Sequence, residues 1–512
     1  MTLTMPEALL APPAADDAPL MPLRWQDRSD EVREHLQTAL DVLAKRRPLI
    51  DARWRYYLGQ HDELWMTQQV REVFGGKSPK LDDNYCELAV EAVVLRLAVK
   101  GWTARRPDRL GEQAATAMVA AVQAQVEANG LDLEQEELHR AAGVAGEHYL
   151  MVWPRYANTD NPDDDTVAVD EDGVQLWDIT EQDARNVYLH VAAGRQKRYA
   201  VKVWRDEPGK RWRASIYYGD EVVRLRTVQG SNGSEPPKAL RFDLDPDDPG
   251  GDNPVGAPPF VRFARDKRGR SRLDSLSPVQ DKLNKLSVGK MVAAEFAALT
   301  QRYALTDQQL QGKLRAIPGS VWQLSPGGET EDGTSPPTRV GEFSAADLSQ
   351  FDSAKREEVD TFLTIGMLPR NLRISGAAGT SGEAITKDAG PFISMVEDHQ
   401  LMYGGAWRDL WALCGYDVVP SWEPAETANS KAVAEEVKLL VDAGVPLEVA
   451  LRHVGWTQEQ LDAVLDALED AEERSATASA RALRALDTGD TTAVDQLRQA
   501  AQVGAPADPP QE

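Results

Sequence analysis

The sequence predicts an α+β protein, and three observations carry that expectation. Apolar residues recur at helical steps through residues 25–70 and again in three long segments beyond residue 272. Between them, residues 148–228 switch to period-two patterning rich in β-branched and aromatic side chains. The period-two runs are separated by turns such as Asp172-Gly173 and Glu207-Pro208-Gly209, as an antiparallel sheet requires.

Taken in order, residues 1–24 are Ala/Pro-rich, carry Asp16 and Asp17 where an export signal would be apolar, and read as a disordered arm. Leu36, Leu40 and Leu43, then Trp54, Tyr57 and Leu58, mark a helical face. After the turn-rich FGGKSPK, Asp82 or Asp83 is expected to cap a helix running to about Val99 and stopping at Gly101. Further helices are expected over 110–129, closed by Asn129-Gly130, and over 131–145. The strands then read HYLMVWP, TVAVDEDGVQLW, NVYLHV, RYAVKVW, RWRASIYYG and EVVRLRTV, so that 25–265 forms one region of helices on a sheet. Residues 243–259 (DLDPDDPGGDNPVGAPP) hold too much Pro, Gly and Asp for a ladder or a helix and read as loop.

The three long helices follow. Leu276, Val279, Leu283, Leu286, Ala293 and Phe296 mark the first, and Leu348, Phe351, Val359, Phe362 and Leu363 the second, over 344–365. Between them, 301–343 reads as short strands and turns, and 369–382 is glycine-rich without pattern. The third helix spans 382–413, with a kink expected near 387–390 because Pro391 lacks an amide proton. Residues 425–500 read as helical and acidic, with 7 Lys/Arg against 18 Asp/Glu from Glu423 onward (net −11), and 501–512 as a disordered tail.

Composition limits the function. The formal net charge is −25, opposite in sign to what gripping a phosphate backbone needs. No apolar run is long enough to span a bilayer, so no membrane is expected. The two cysteines, Cys86 and Cys414, belong to no CxxC or Cys/His cluster; Cys86 falls in a helical stripe with Val90, Val93 and Leu97, where a buried structural thiol is expected.

Motifs that imitate chemistry fail on inspection. GGKS at 75–78 has Arg71 where a phosphate-binding loop needs glycine, and Pro79 where it should enter a helix. The acidic stretch 160–173, aligned as a calcium loop on Gly173, puts Ala168 and Ile179 at two required ligand positions, so a hairpin turn at DEDG is expected. His139 and His148 lie nine residues apart and do not converge, and His399 reads as a core histidine. No catalytic, metal or cofactor constellation is recognisable, and the chain is expected not to be an enzyme.

Several short stretches, taken with the order of parts, resemble the portal proteins of tailed double-stranded DNA bacteriophages, in the branch common among siphophages of Gram-positive hosts. They are RWRYYLGQH, LDDNYCELAVEAVVLRLAVKGW, ANGLD with HRAAGVAGEHYLMVWP, NPVGAPPFVRF, GRSRLDSLSPVQDKLNKL, and SGEAITKDAG with VEDHQLMYGGAW, spanning roughly residues 50–413. DAGVPLEVALRHVGW matches only in style, and Gly390-Pro391 departs from the family pattern.

The resemblance implies an α+β portal fold: a wing over 25–272, stem helices at 273–300 and 344–366, a clip at 301–343, a tunnel loop at 367–382, a long kinked helix with a return to the wing at 383–424, and a crown at 425–500. It implies a ring of about twelve copies at the capsid vertex, assembled in the host cytoplasm, through which duplex DNA is packaged and ejected without sequence specificity. The implied partners are the large terminase, the head-to-tail adaptor, and the major capsid and scaffolding proteins, with no cofactor; the alternative is another ring or adaptor of the phage neck. Its candidate functional residues are Arg370, Arg373, Gly376, Gly379 and Gly382 in the tunnel loop, and Trp322 as a clip contact. Arg370 and Arg373 are open to two readings: transient phosphate contacts, or pairing with acids of a neighbouring subunit.

Overall fold

The leucine stripe of the first helical segment meets the alternation of the strands, and this match organises the N-terminal helix-and-sheet region. In the computed structural model α1 (Trp25–Tyr57) lays Val32, Leu36, Leu40 and Leu43 on the inward faces of β5 (Lys197–Asp206) and β6 (Arg211–Tyr217). Tyr199, Val201 and Val203 of β5 and Trp212, Ala214 and Ile216 of β6 alternate toward it, as the two-residue pleat dictates. The structure describes residues 25–62, 68–73, 83–157, 166–170, 173–192, 196–206, 210–228, 230, 233, 235–298, 302–305, 339–342, 347–370, 382–425, 437–453 and 461. The chain divides into two units, residues 1–425 and 426–512.

The larger sheet runs β4 (Val187–Val191), β5, β6, β7 (Glu221–Thr227) and β8 (Phe242–Leu244), all antiparallel, with β9 (Gly250–Asp252) also pairing β7. A smaller sheet sets β2 (Glu147–Pro154) between β3 (Trp177–Gln182) and β10 (Phe260–Ala264). Its cover is α3 (Tyr85–Val94), α5 (Glu112–Asn129) and α6 (Leu131–Ala145), with a short α4 (Pro107–Leu110) ahead of α5 and α2 (Gln68–Val73) ahead of α3. Gly130 takes φ +63° and separates α5 from α6, at the Asn-Gly stop the sequence marks.

The main core continues beyond the sheets into the long helices. Val93, Val152 and Phe263 share one cluster with Leu276 and Leu283 of α7 (Leu273–Ala298), Phe362 and Leu363 of α8 (Ser349–Ile365), and Trp407 and Trp411 of α9 (Gly382–Leu413). Pro391 lies inside α9. In the second unit the chain is helical at 437–442, turns at Gly444 with φ +90°, and enters α10 (Leu447–His453), where Ala450 and Leu451 are buried.

Four expectations need correction. The cap of α3 is Asn84, whose side chain accepts from the Glu87 amide while its Nδ2 donates to the Tyr57 carbonyl at 2.7 Å. Asp83 instead pairs with Lys355 at 2.6 Å and lends its carbonyl to Gln280. The helix also ends at Val94: Val99–Ala104 is β1, which passes through Gly101 and pairs antiparallel with β13 (Val418–Trp422).

TVAVDEDGVQLW is not one strand. Only the isolated bridges Tyr156↔Val167 and Val169↔Gln175 form there, around a turn in which the Asp170 amide donates to the Val174 carbonyl. The regular strand is the following WDITEQ. The loop over 243–259 contains β9, which needs Gly250: at φ +96°, a Cβ there would stand 1.9 Å from the Val222 carbonyl oxygen. Finally, α8 starts at Ser349 and not at 344.

Candidate functional site

Of the residues expected to carry function, Arg370 and Gly382 are described; Arg370 follows α8 and Gly382 opens α9. α7 is fixed at its start by a local sequence device. Ser271 Oγ accepts from the Leu273 amide, Asp274 accepts from the Ser271 amide, and both oxygens of Asp274 take the Arg53 guanidinium at 2.7 Å.

One face of α7 is apolar (Leu276, Val279, Leu283, Val288), and beside it a polar ladder ties the helix to α1, to His61 just beyond it and to the start of α3. Tyr56 Oη donates to Asp281 at 2.9 Å, Gln280 bridges the Asp83 carbonyl and the Tyr85 amide, and Asn284 meets His61 at 3.0 Å. Burial pushes the Asp281 carboxyl up, against the lowering effect of the Tyr56 hydrogen bond, and pushes the Tyr56 hydroxyl up as well.

The outer half of α7 pairs with α8. Lys290 reaches Asp352 at 2.5 Å and holds that carboxyl below its ordinary range, while Lys282 faces Glu358 at 3.9 Å. Gly289 admits the Phe351 ring: a Cβ there would lie 3.0 Å from the ring edge. Beyond these helices β11 (Arg302–Leu305) and β12 (Arg339–Glu342) form an antiparallel ladder from Arg302↔Glu342 to Leu305↔Arg339, so helix, ladder and helix make one hairpin-like unit.

The exit from α8 is tightly built. The Gly366 and Leu368 amides return to the Phe362 and Leu363 carbonyls at 2.8 Å, Met367 takes φ +50°, and Leu368 is buried. Met367 has a side chain in the left-handed region, a strained choice held here by its neighbours. Arg272, just ahead of α7, donates through Nη2 to the Gly366 carbonyl.

Arg370 follows, its amide donating to Asp388 of α9 at 2.6 Å and its guanidinium 3.7 Å from the same carboxylate. Arg370, after the turn that ends α8, is thereby tied to α9 through Asp388. Asp388 belongs to the same chain, so this contact is neither of the two readings of Arg370. Gly382 is the first residue of α9. Arg373, Gly376, Gly379 and Trp322 lie outside the described residues, as do GGKS at 75–78, the arm 1–24 and the tail 501–512.

The remaining polar residues singled out in the sequence sit in the core. His139 receives a hydrogen bond from the Trp407 indole at 3.2 Å and stacks on Tyr403; burial drives its pKa down to about 3. His399 meets the Met395 carbonyl at 2.7 Å, and burial brings it down to about 4. His148, on β2, faces Glu181 at 3.6 Å. Cys86 and Cys414 are buried free thiols pushed well up by burial, Cys86 to about 12. Among the described residues no group of His, Cys, Asp and Glu is arranged to hold a metal, and no helix is long and apolar enough to cross a membrane.

Sequence reasoning did not single out Arg272, Gly289 or Met367. Gly289 had a legible signal, since a lone glycine inside a helical pattern costs about 1 kcal/mol and so marks a packing reason. Arg272 and Met367 had none.

No family model matches the chain, and no curated protein matches it. Among solved structures it is similar to a chain of the "Neck of native GTA particle computed with C12 symmetry", at 14% identity and a TM-score of 0.36, over 79% of this chain and 99% of that one.

Proposed function

We propose that the chain is the portal subunit of a tailed double-stranded DNA bacteriophage, a structural gate and not an enzyme. The observation that carries the reading is the α7–ladder–α8 unit, followed in the chain by a 32-residue helix to which Arg370 is tied. That is the order stem, clip, stem, tunnel loop, long helix, joined to a helix-and-sheet wing.

In this reading the wing is 25–272, the stem helices lie within 273–300 and 344–366, the clip is 301–343 and the tunnel loop 367–382. The Arg272 and Arg370 contacts fix the described residues that lead from the second stem helix into the tunnel loop. Trp322 belongs to the clip, where terminase and the head-to-tail adaptor dock. Residues 383–424 return to the wing, and 425–500 form the crown inside the capsid.

Twelve copies of the 56.4 kDa chain make a closed assembly of about 680 kDa. Light scattering behind size exclusion, with negative-stain images, is the test. The expected result is a single ringed species near that mass with a central hole. A stable monomer at tens of micromolar protein would overturn the proposal.

A further inference from the structure

Behind the turn that ends α8 lies a small cavity of about 20 Å³, and the charge around it does not balance. Its lining includes Val93, His139, Arg265, Arg272, His399 and Tyr403. Arg272 is only 8% exposed. Its Nη2 is bonded to the Gly366 carbonyl, but Nη1 is buried without a hydrogen-bond partner among the described residues. No ion pair joins Arg272 or Arg265 to a carboxylate among the described residues, whereas Arg270, which also lines the cavity, is paired with Asp266, and the neighbouring Arg262 with Glu147. A buried guanidinium without a counter-charge is costly.

The compensation on hand is small. The Gly366 carbonyl closes the C-terminus of α8, and a helix C-terminus carries roughly half a negative charge. Arg272 is bonded to it, and Arg272 and Arg265 are each close enough to lower the proton affinity of His399. Asp398 is the acid that acts on His399 in the opposite sense, and its side chain is exposed on α9.

The histidines add a donor and no charge. Trp407 Nε1 can only donate, so Nε2 of His139 accepts, and the proton of the neutral ring sits on Nδ1. That Nδ1–H is buried and makes no hydrogen bond of acceptable geometry, although the Leu97 carbonyl lies near enough to favour the protonated ring. Burial, and then Arg265, bring Arg272 itself down to about 10, as two like charges sharing a dry site require.

We infer that this cavity is a binding site for a single monovalent halide, with chloride as the natural occupant, held by the Arg272 and Arg265 guanidinium groups. Its size sets the class. One water needs roughly 10–15 Å³ on the same measure. The cavity exceeds that and is too small for a tetrahedral oxyanion. A halide also tolerates the apolar wall supplied by Val90, Val93 and Leu97, and supplies the charge that a water cannot. The site stands on this geometry alone and holds whether or not the chain is a portal subunit.

The test uses the full chain at constant ionic strength, with sodium gluconate replaced stepwise by sodium chloride. The wild type should show a saturable rise in unfolding midpoint of about 1–3 °C. Arg265→Gln, at a half-buried position, should fold and lose most of that rise; Arg272→Met should lose all of it. Crystals grown in sodium bromide should give an anomalous peak in the cavity, absent or weakened in Arg265→Gln. If Arg272→Met does not fold, the bromide peak and Arg265→Gln decide. Equal midpoints in gluconate and chloride, or a cavity without a bromide peak, would make this a water site and overturn the inference. So would a chloride response of the same size in both variants.

Discussion

At the scale of single residues, the core holds two histidines that stay neutral. A base whose folded pKa lies below its unfolded value takes up a proton on unfolding. The unfolded state therefore binds more protons, and stability is lost as pH falls. The loss begins near pH 6.5, the unfolded value, and continues to about 4 for His399 and about 3 for His139. Each group then contributes on the order of 1 kcal/mol per pH unit within its window. Arg265 and Arg272 oppose protonation of His399 and Asp398 favours it, so burial dominates. His399→Gln is expected to flatten the decline in melting temperature between pH 6.5 and 4 relative to wild type, while carboxylates titrate alike in both. Parallel pH profiles would contradict a neutral buried ring.

At the scale of elements, what the sequence disclosed and what it concealed have separate physical causes. α1, α5, α6 and the strands β4 to β7 were legible because each buries one face against a partner of its own period. β1 and β13 were not: VKGWTA and VVPSW carry Gly101 and Pro420, and each becomes a strand only through a partner about 320 residues away. β9 was hidden for a similar reason, since Gly250-Gly251 has no strand propensity and pairs as a third segment against β7. In the candidate site the positions of α7, α8 and α9 were readable from periodicity. The contacts that join them, Arg272 to Gly366 and Arg370 to Asp388, cross sequence gaps that no local pattern reports.

Gly289 tests the joining of α7 to α8. Alanine there gains about 1 kcal/mol of helix propensity and meets the edge of a side chain that can turn aside. Gly289→Ala is thus expected within about 1 kcal/mol of wild type in a denaturant melt. Gly289→Leu adds three further carbons where Phe351 already sits and should cost about 1–3 kcal/mol. A leucine variant as stable as the alanine one would mean that the two helices are not in contact.

At the scale of the whole molecule, the proposed portal reading makes a prediction about DNA through charge. A formal −25 per chain would become about −300 in a ring of twelve, since twelve times 25 is 300. Many cations of the helix-and-sheet region are already engaged: Arg213 with Asp206 and Asp245, Arg224 with Asp248, Arg226 with Asp247, and Arg140 with Glu91, Glu136 and Glu137. Arg370, the described cation of the expected tunnel loop, has Asp388. A subunit so arranged repels a polyanion or lets it pass, which a channel for moving DNA requires and a DNA-binding protein cannot afford. Binding of a labelled 30-base-pair duplex to the purified assembly should therefore be weak even at 50 mM salt and nearly independent of salt above that. The reason is that the salt slope counts neutralised phosphates, at roughly 0.9 per contact on a log–log plot. Affinity falling by a factor of about 10³–10⁵ between 50 and 200 mM salt would correspond to six to ten phosphate contacts. That outcome would mean a gripping surface exists, and the passive-channel reading would fall with it.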